Sequence, residues 1–108
     1  MSATTRRKFL MITLIGGAFG ALTGRAQAAT HVVQIKGFTF QPARLEIAAG
    51  DSVTFVNADG SAHTATGRGF DTGRLARGQQ ASLTFDRPGS YDYICEVHPA
   101  MRGRITVR

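Results

Sequence analysis

An all-β architecture, one small sandwich of antiparallel strands, follows from three features of this 108-residue chain. From His31 onward its apolar residues recur with a period of two, not 3.6. Gly, Pro and Asp clusters cut that stretch into runs of strand length. No segment offers a run of helical periodicity. Taken in order, the alternating pairs are Val33/Ile35, Phe38/Phe40, Leu45/Ile47, Val53/Phe55, Leu83/Phe85, Tyr91/Tyr93 and Ile105/Val107. Gln34, Lys36, Glu46, Thr54, Thr84, Arg104 and Thr106 fall between them, so each strand has one buried and one solvated face. Turns are expected at Gly37, Pro42, Ala49-Gly50-Asp51, Asp59-Gly60, Gly67–Gly69, Gly73 and Asp86-Arg87-Pro88-Gly89. The alternation that turns Tyr91 and Tyr93 inward puts Cys95 on the same face, at the end of its strand.

The N-terminus reads as an export leader. Thr5-Arg6-Arg7-Lys8-Phe9-Leu10 has the form of a twin-arginine signal, an apolar stretch follows from Leu10 to Leu22, and Ala26-Gln27-Ala28 is a small-residue cleavage site. The apolar stretch is broken by Gly16, Gly17 and Gly20, whereas a spanning helix needs about 20 apolar residues. Residues 1–28 are therefore expected to be removed, leaving one domain over 29–108 in the bacterial periplasm, with the membrane met only during export. Arg6, Arg7, Lys8 and Arg25 leave with the leader, so the net charge of +6 shrinks to nine basic against seven acidic residues. That balance, without an aromatic-and-basic stacking platform, excludes nucleic acid as the expected partner.

One cysteine excludes a disulfide framework, and an odd thiol in an exported chain is paired between chains or chemically employed. Met1 and Met11 lie in the leader, so Cys95 and Met101, the only sulfur residues left, share one short loop with His98 between them. A second imidazole, His63, lies in the polar stretch after Val53–Asn57. Two His, one Cys and a long axial Met are the donor set of electron-transferring copper sites. Structural zinc instead takes four strong N, S or O donors, and a thioether in fourth place favours copper.

Cys95-x-x-His98-Pro99-x-Met101, followed by Arg102-Gly103 and Ile105–Val107, resembles the ligand loop of the amicyanins within the plastocyanin/pseudoazurin group of cupredoxins. The resemblance continues through Leu83-Thr84-Phe85, Pro88-Gly89, Tyr91–Tyr93, Phe70-Asp71-Thr72-Gly73, Phe38-x-Phe40-x-Pro42 and Gly50-Asp51-x-Val53-x-Phe55-x-Asn57. It implies a Greek-key sandwich and one copper ion held by His63, Cys95, His98 and Met101. It also implies one-electron transport, without catalysis, by a monomer. Its partners would be redox proteins docking at an exposed His98 edge, a dehydrogenase and a c-type cytochrome among them. Ala100 and Val97 stand where amicyanins carry an aromatic and a proline, and Thr64 where an asparagine often ties the two loops.

Three alternatives stay open at this point. The site can serve copper delivery in place of electron transport. Arg68, Arg74 and Arg77, in the Gly67–Gly78 stretch, belong to a solvated loop or to a basic docking surface. Cleavage after Ala28 would expose Ala29-Thr30-His31, a terminus able to wrap a second Cu(II) in nitrogen.

Overall fold

The computed structural model describes residues 27–108. The expected leader lies outside them, apart from Gln27 and Ala28. The described chain forms β1 (Thr30–Lys36), β2 (Thr39–Gln41), β3 (Arg44–Ile47), β4 (Asp51–Asn57), β5 (Thr66–Gly67), β6 (Phe70–Asp71), β7 (Gln80–Phe85), β8 (Gly89–Ile94) and β9 (Arg102–Val107). One sheet runs β3-β9-β8-β5-β6 and the other β2-β1-β4-β7. No helix occurs among the described residues, and the all-β sandwich read from the two-residue period is the observed fold.

The sheets are mixed, where purely antiparallel ones were expected. β1 pairs with β4 in parallel, and β3 with β9 likewise. The physical reason is that a period of two dictates which face a strand buries and is silent on its direction. Between β1 and β4 the chain crosses to the other sheet as β3 and returns, arriving in its original sense.

The core follows the alternation closely. Val33 and Ile35, Phe40, Ile47, Val53 and Phe55, Phe85, Tyr93, Ile105 and Val107 are all buried between the sheets. Tyr93 stands at its centre, edge-on to Phe40, Phe55 and Phe70 at centroid distances of 4.7, 5.5 and 5.9 Å. Its ring lies over Gly103, its partner across the β8–β9 ladder, and any side chain at that glycine would overlap the phenol. Phe38 departs from the pattern. It lies outside β2 with φ +58°, and is 48% exposed rather than buried. The Gly67–Gly78 stretch is also more ordered in outline than a solvated loop, since β5 and β6 form a short hairpin that extends the first sheet.

β4 shows how one strand serves both ends of the molecule. Its inward positions read Asp51, Val53, Phe55, Asn57, apolar in the middle and polar at each end. At the start of β4, the Asp51 carboxylate accepts from Ala29 N–H (2.9 Å) and Ala48 N–H (3.1 Å) and pairs with His31 Nε2 (2.9 Å). The Ala29 amide and the His31 ring, the two outer members of the hypothetical second copper site, are thus both bonded to this carboxylate. The same contacts, Ala29 foremost and then His31 and Ala48, hold the Asp51 carboxyl at about 2. A carboxyl depressed in the folded state stabilises that state above its unfolded value, near 3.9, and loses the contribution as pH falls toward the folded value. The melting temperature should therefore drop between about pH 4 and pH 2. Asp51→Asn is expected to melt lower at pH 7 and to show a flatter acid limb, measured by circular dichroism; an unchanged acid limb would show that Asp51 does not carry it.

Candidate metal centre

The end of β8 delivers Cys95. Tyr93 is buried, Ile94 faces out and Cys95 is wholly buried, as the alternation requires. Beyond it the chain leaves the strand in a tight loop closed by its own backbone. Met101 N–H donates to His98 O (2.9 Å), and Cys95 N–H donates to Met101 O (3.2 Å). These bonds fold His98 back toward the cysteine and start β9 directly after a buried Met101.

The opposite wall is organised by Asn57, the last inward residue of β4. Its side-chain amide donates to Ser61 O and Leu75 O, both at 2.8 Å, and its oxygen accepts from Asp59 N–H at 2.9 Å. Every polar atom of this buried amide is therefore partnered, which satisfies the condition for burying it at all. The loop so shaped carries His63, whose backbone exchanges bonds with Leu75 in both directions, at 3.1 and 2.8 Å. His63 is wholly buried.

Three donor atoms converge where these walls meet. His63 Nδ1 lies 3.2 Å from His98 Nδ1 and 3.7 Å from Cys95 Sγ, and the third edge, from Cys95 Sγ to His98 Nδ1, is 4.0 Å. The point equidistant from the three is about 2.1 Å from each, matching metal–nitrogen bonds and slightly short of metal–thiolate bonds. His63 Nε2 is 2.9 Å from Asp59 Oδ2, so the ring proton goes to the carboxylate and Nδ1 keeps its lone pair for the centre. A cation at the common point satisfies all three donors at once, and these residues can hold a metal ion.

Thr64 ties the two walls together. Its N–H points at Cys95 Sγ (3.3 Å), and its hydroxyl accepts from Glu96 N–H (2.9 Å) and bonds Thr66 Oγ1 (2.9 Å). The threonine therefore supplies the loop-to-loop tie expected of an asparagine.

Of the residues singled out in the sequence, His63, Cys95 and His98 are brought together, Met101 is buried at the end of the same loop, and His31 lies with Asp51 instead. Two contributors were missed. Asp59, read as a turn residue, accepts from Gly37 N–H (2.8 Å) and Phe38 N–H (2.9 Å) besides meeting His63. These contacts, the Phe38 amide foremost, hold its carboxyl below the ordinary value despite opposing burial. Phe38, read as core, instead sets its ring edge-on to His63 (5.1 Å) and His98 (4.8 Å). The available signal was the spacing Asp59-x-x-x-His63; nothing in the sequence marked Phe38 as leaving its strand.

The family model of the cupredoxin-like domain matches residues 9–107. Among curated proteins the chain is 36% identical to amicyanin-alpha of Methylorubrum extorquens, over 87% of this chain and 84% of that one. It is 31% identical to the amicyanin of Paracoccus denitrificans, over 99% and 98%. Among solved structures, the Cu(I) form of an amicyanin mutant superposes with a TM-score of 0.70 at 31% identity, covering 83% of this chain and 90% of that one.

The bond from Asp59 to His63 can be tested directly. Asp59→Asn removes the acceptor charge that fixes the imidazole tautomer and loosens the Gly37–Phe38 turn. Metal affinity, measured by competition with a chelator, should fall about 10- to 100-fold; an unchanged affinity would deny the carboxylate any part in orienting His63.

Proposed function

This chain belongs to the cupredoxin-like family, and from that membership we propose that it is a one-electron carrier built on a single type 1 copper site. His63, Cys95, His98 and Met101 are the proposed ligands. The observation that carries this reading is the donor triangle, already closed to metal-binding dimensions by bonds within the protein. Bound copper supplies the Cu(II)/Cu(I) couple. Everything else would be the work of the chain: Cys95 would offer a thiolate, His63 and His98 two imidazole nitrogens, and Met101 a thioether.

The surroundings favour transport over catalysis. His63, Cys95 and Met101 are buried. His98 alone is partly exposed, beside exposed Pro99, Ala100 and Phe38. This rim suits brief docking of a redox partner, with the imidazole edge as the exit for the electron. A dehydrogenase and a c-type cytochrome are the proposed donor and acceptor, and the periplasm the proposed compartment, on the strength of the leader motif in residues 1–28.

Copper loading of the exported form should give one equivalent of metal and an intense absorption near ~600 nm, the sulfur-to-copper transition of this donor set. Cys95→Ser should abolish it. Repeated reduction and reoxidation should restore the colour with the metal retained, whereas loss of copper on reduction would indicate delivery. A protein that stays pale with Cu(II), or keeps its colour without Cys95, contradicts the proposal.

Copper should also stabilise the fold, because it ties the β4–β5 loop to the β8–β9 loop. At free copper a thousandfold above the dissociation constant the gain is about 4 kcal/mol. Calorimetry should show the apo form melting lower; equal melting temperatures would mean that the metal makes no such tie.

A further inference from the structure

β4 carries a buried charge at the end away from the metal centre. Of the four buried polar or charged residues among those described, Asn57, His63 and Thr64 belong to the metal centre and Asp51 stands apart. Its side chain is 8% exposed, and among the described residues its ion-pair partner is His31, with no lysine or arginine in reach. A buried carboxylate is costly unless a cation meets it. One of its oxygens, Oδ2, meets His31 Nε2 and the Ala48 amide, and the other, Oδ1, accepts from the Ala29 amide at 2.9 Å.

Ala29 is also where the sandwich begins. Its carbonyl accepts from Ser52 N–H (2.9 Å), and the ladder of β1 with β4 opens at the next residue. Gln27 and Ala28 before it are exposed and outside any strand. The small-residue cleavage site Ala26-Gln27-Ala28 therefore ends at the edge of the fold. Hydrolysis of the Ala28–Ala29 peptide bond adds water across it, leaving a carboxylate on Ala28 and an ammonium on Ala29. The nitrogen that acquires the charge is the atom already seated on Asp51 Oδ1.

We propose that Asp51 is the receptor for the amino terminus that leader removal creates. By holding this ammonium and the His31 ring, it denies Ala29-Thr30-His31 to a second copper ion. The proposal rests on removal of residues 1–28 and owes nothing to the carrier reading. Processing replaces a neutral donor with a cation, so the bond to the buried carboxylate becomes charge-assisted. Capture of Cu(II) at such a terminus uses the amine, the Thr30 and His31 amide nitrogens and the His31 ring in one square plane. Three residues must curl around the ion for this. Here they run extended, with Thr30 opposite Ser52 and His31 opposite Val53. Binding copper would therefore break both Asp51 contacts and the start of the β1–β4 ladder.

The test uses the exported, copper-loaded protein. Its mass should place the first residue at Ala29, and any other start overturns the proposal. The mature chain then holds two amines, the Ala29 terminus and the exposed Lys36. A free terminus, with a pKa of about 7.7–8.0, is acylated ahead of a lysine near about 10.4. With limiting acylating reagent at pH 7, Ala29 should label at least about tenfold more slowly in the folded protein than in urea, with Lys36 labelling similarly in both. Equal rates at Ala29 contradict the receptor. A second equivalent of Cu(II) reads the masking. Asp51→Asn should bind it with at least about tenfold higher affinity than the wild type, and with the electron paramagnetic resonance signal of a square-planar nitrogen site. Asp51→Asn/His31→Gln should lose that gain. A second-site affinity that Asp51→Asn leaves unchanged, or a gain that survives the loss of His31, overturns the masking. The labelling uses the wild-type chain, so the receptor is tested whether or not Asp51→Asn folds.

Discussion

Three electron-rich atoms set 3.2, 3.7 and 4.0 Å apart do not stay together by mutual attraction. Without a cation they drift apart or share protons, so the surrounding fold must oppose both. It does so with hydrogen bonds that fix the two buried corners. His63 is held by its backbone to Leu75 and by its ring to Asp59. Cys95 is held by the Thr64 amide and the Met101 carbonyl. A domain this small has a thin apolar core to draw on, and rigidity at the site comes from a satisfied polar network instead. Asn57 is its keystone, because one buried amide aligns the loop of His63 with the segment at Leu75.

That rigidity is what electron transfer requires. When donors keep their places as the metal changes charge, the protein contributes little to the reorganisation barrier. The corners are not equally sheltered, however. His63 and Cys95 are wholly buried, while His98 is partly exposed, with Phe38 against its edge. Asp59 reaches both sides of this arrangement, since one carboxylate orients the buried imidazole and anchors the turn that carries Phe38. The orientation of the buried donor and the shape of the exposed rim therefore depend on the same side chain.

Much of this was legible in the sequence because it is local. Inward and outward positions on β1, β4, β8 and β9 follow a two-residue period, and the loop Cys95–Met101 holds three sulfur and nitrogen donors within seven consecutive residues. What could not be read is non-local. Strand direction leaves no mark on periodicity, so the parallel β1–β4 and β3–β9 pairs were invisible. Phe38 matched the alternation, yet two amide bonds to Asp59, more than twenty residues away, hold its turn in a left-handed conformation that turns the ring outward. Thr64 looked like a departure from the pattern, but its hydroxyl and amide together do the tying work of a longer side chain.

The protein, and not the metal, sets the geometry of the donors. Copper K-edge X-ray absorption of the loaded protein at neutral pH, recorded oxidised and reduced, addresses it most directly. Donors held by the protein should give the same inner shell in both states, two nitrogens and one sulfur, with bond lengths barely altered. A shell without sulfur, or one that gains or loses a strong donor between the two states, would contradict it.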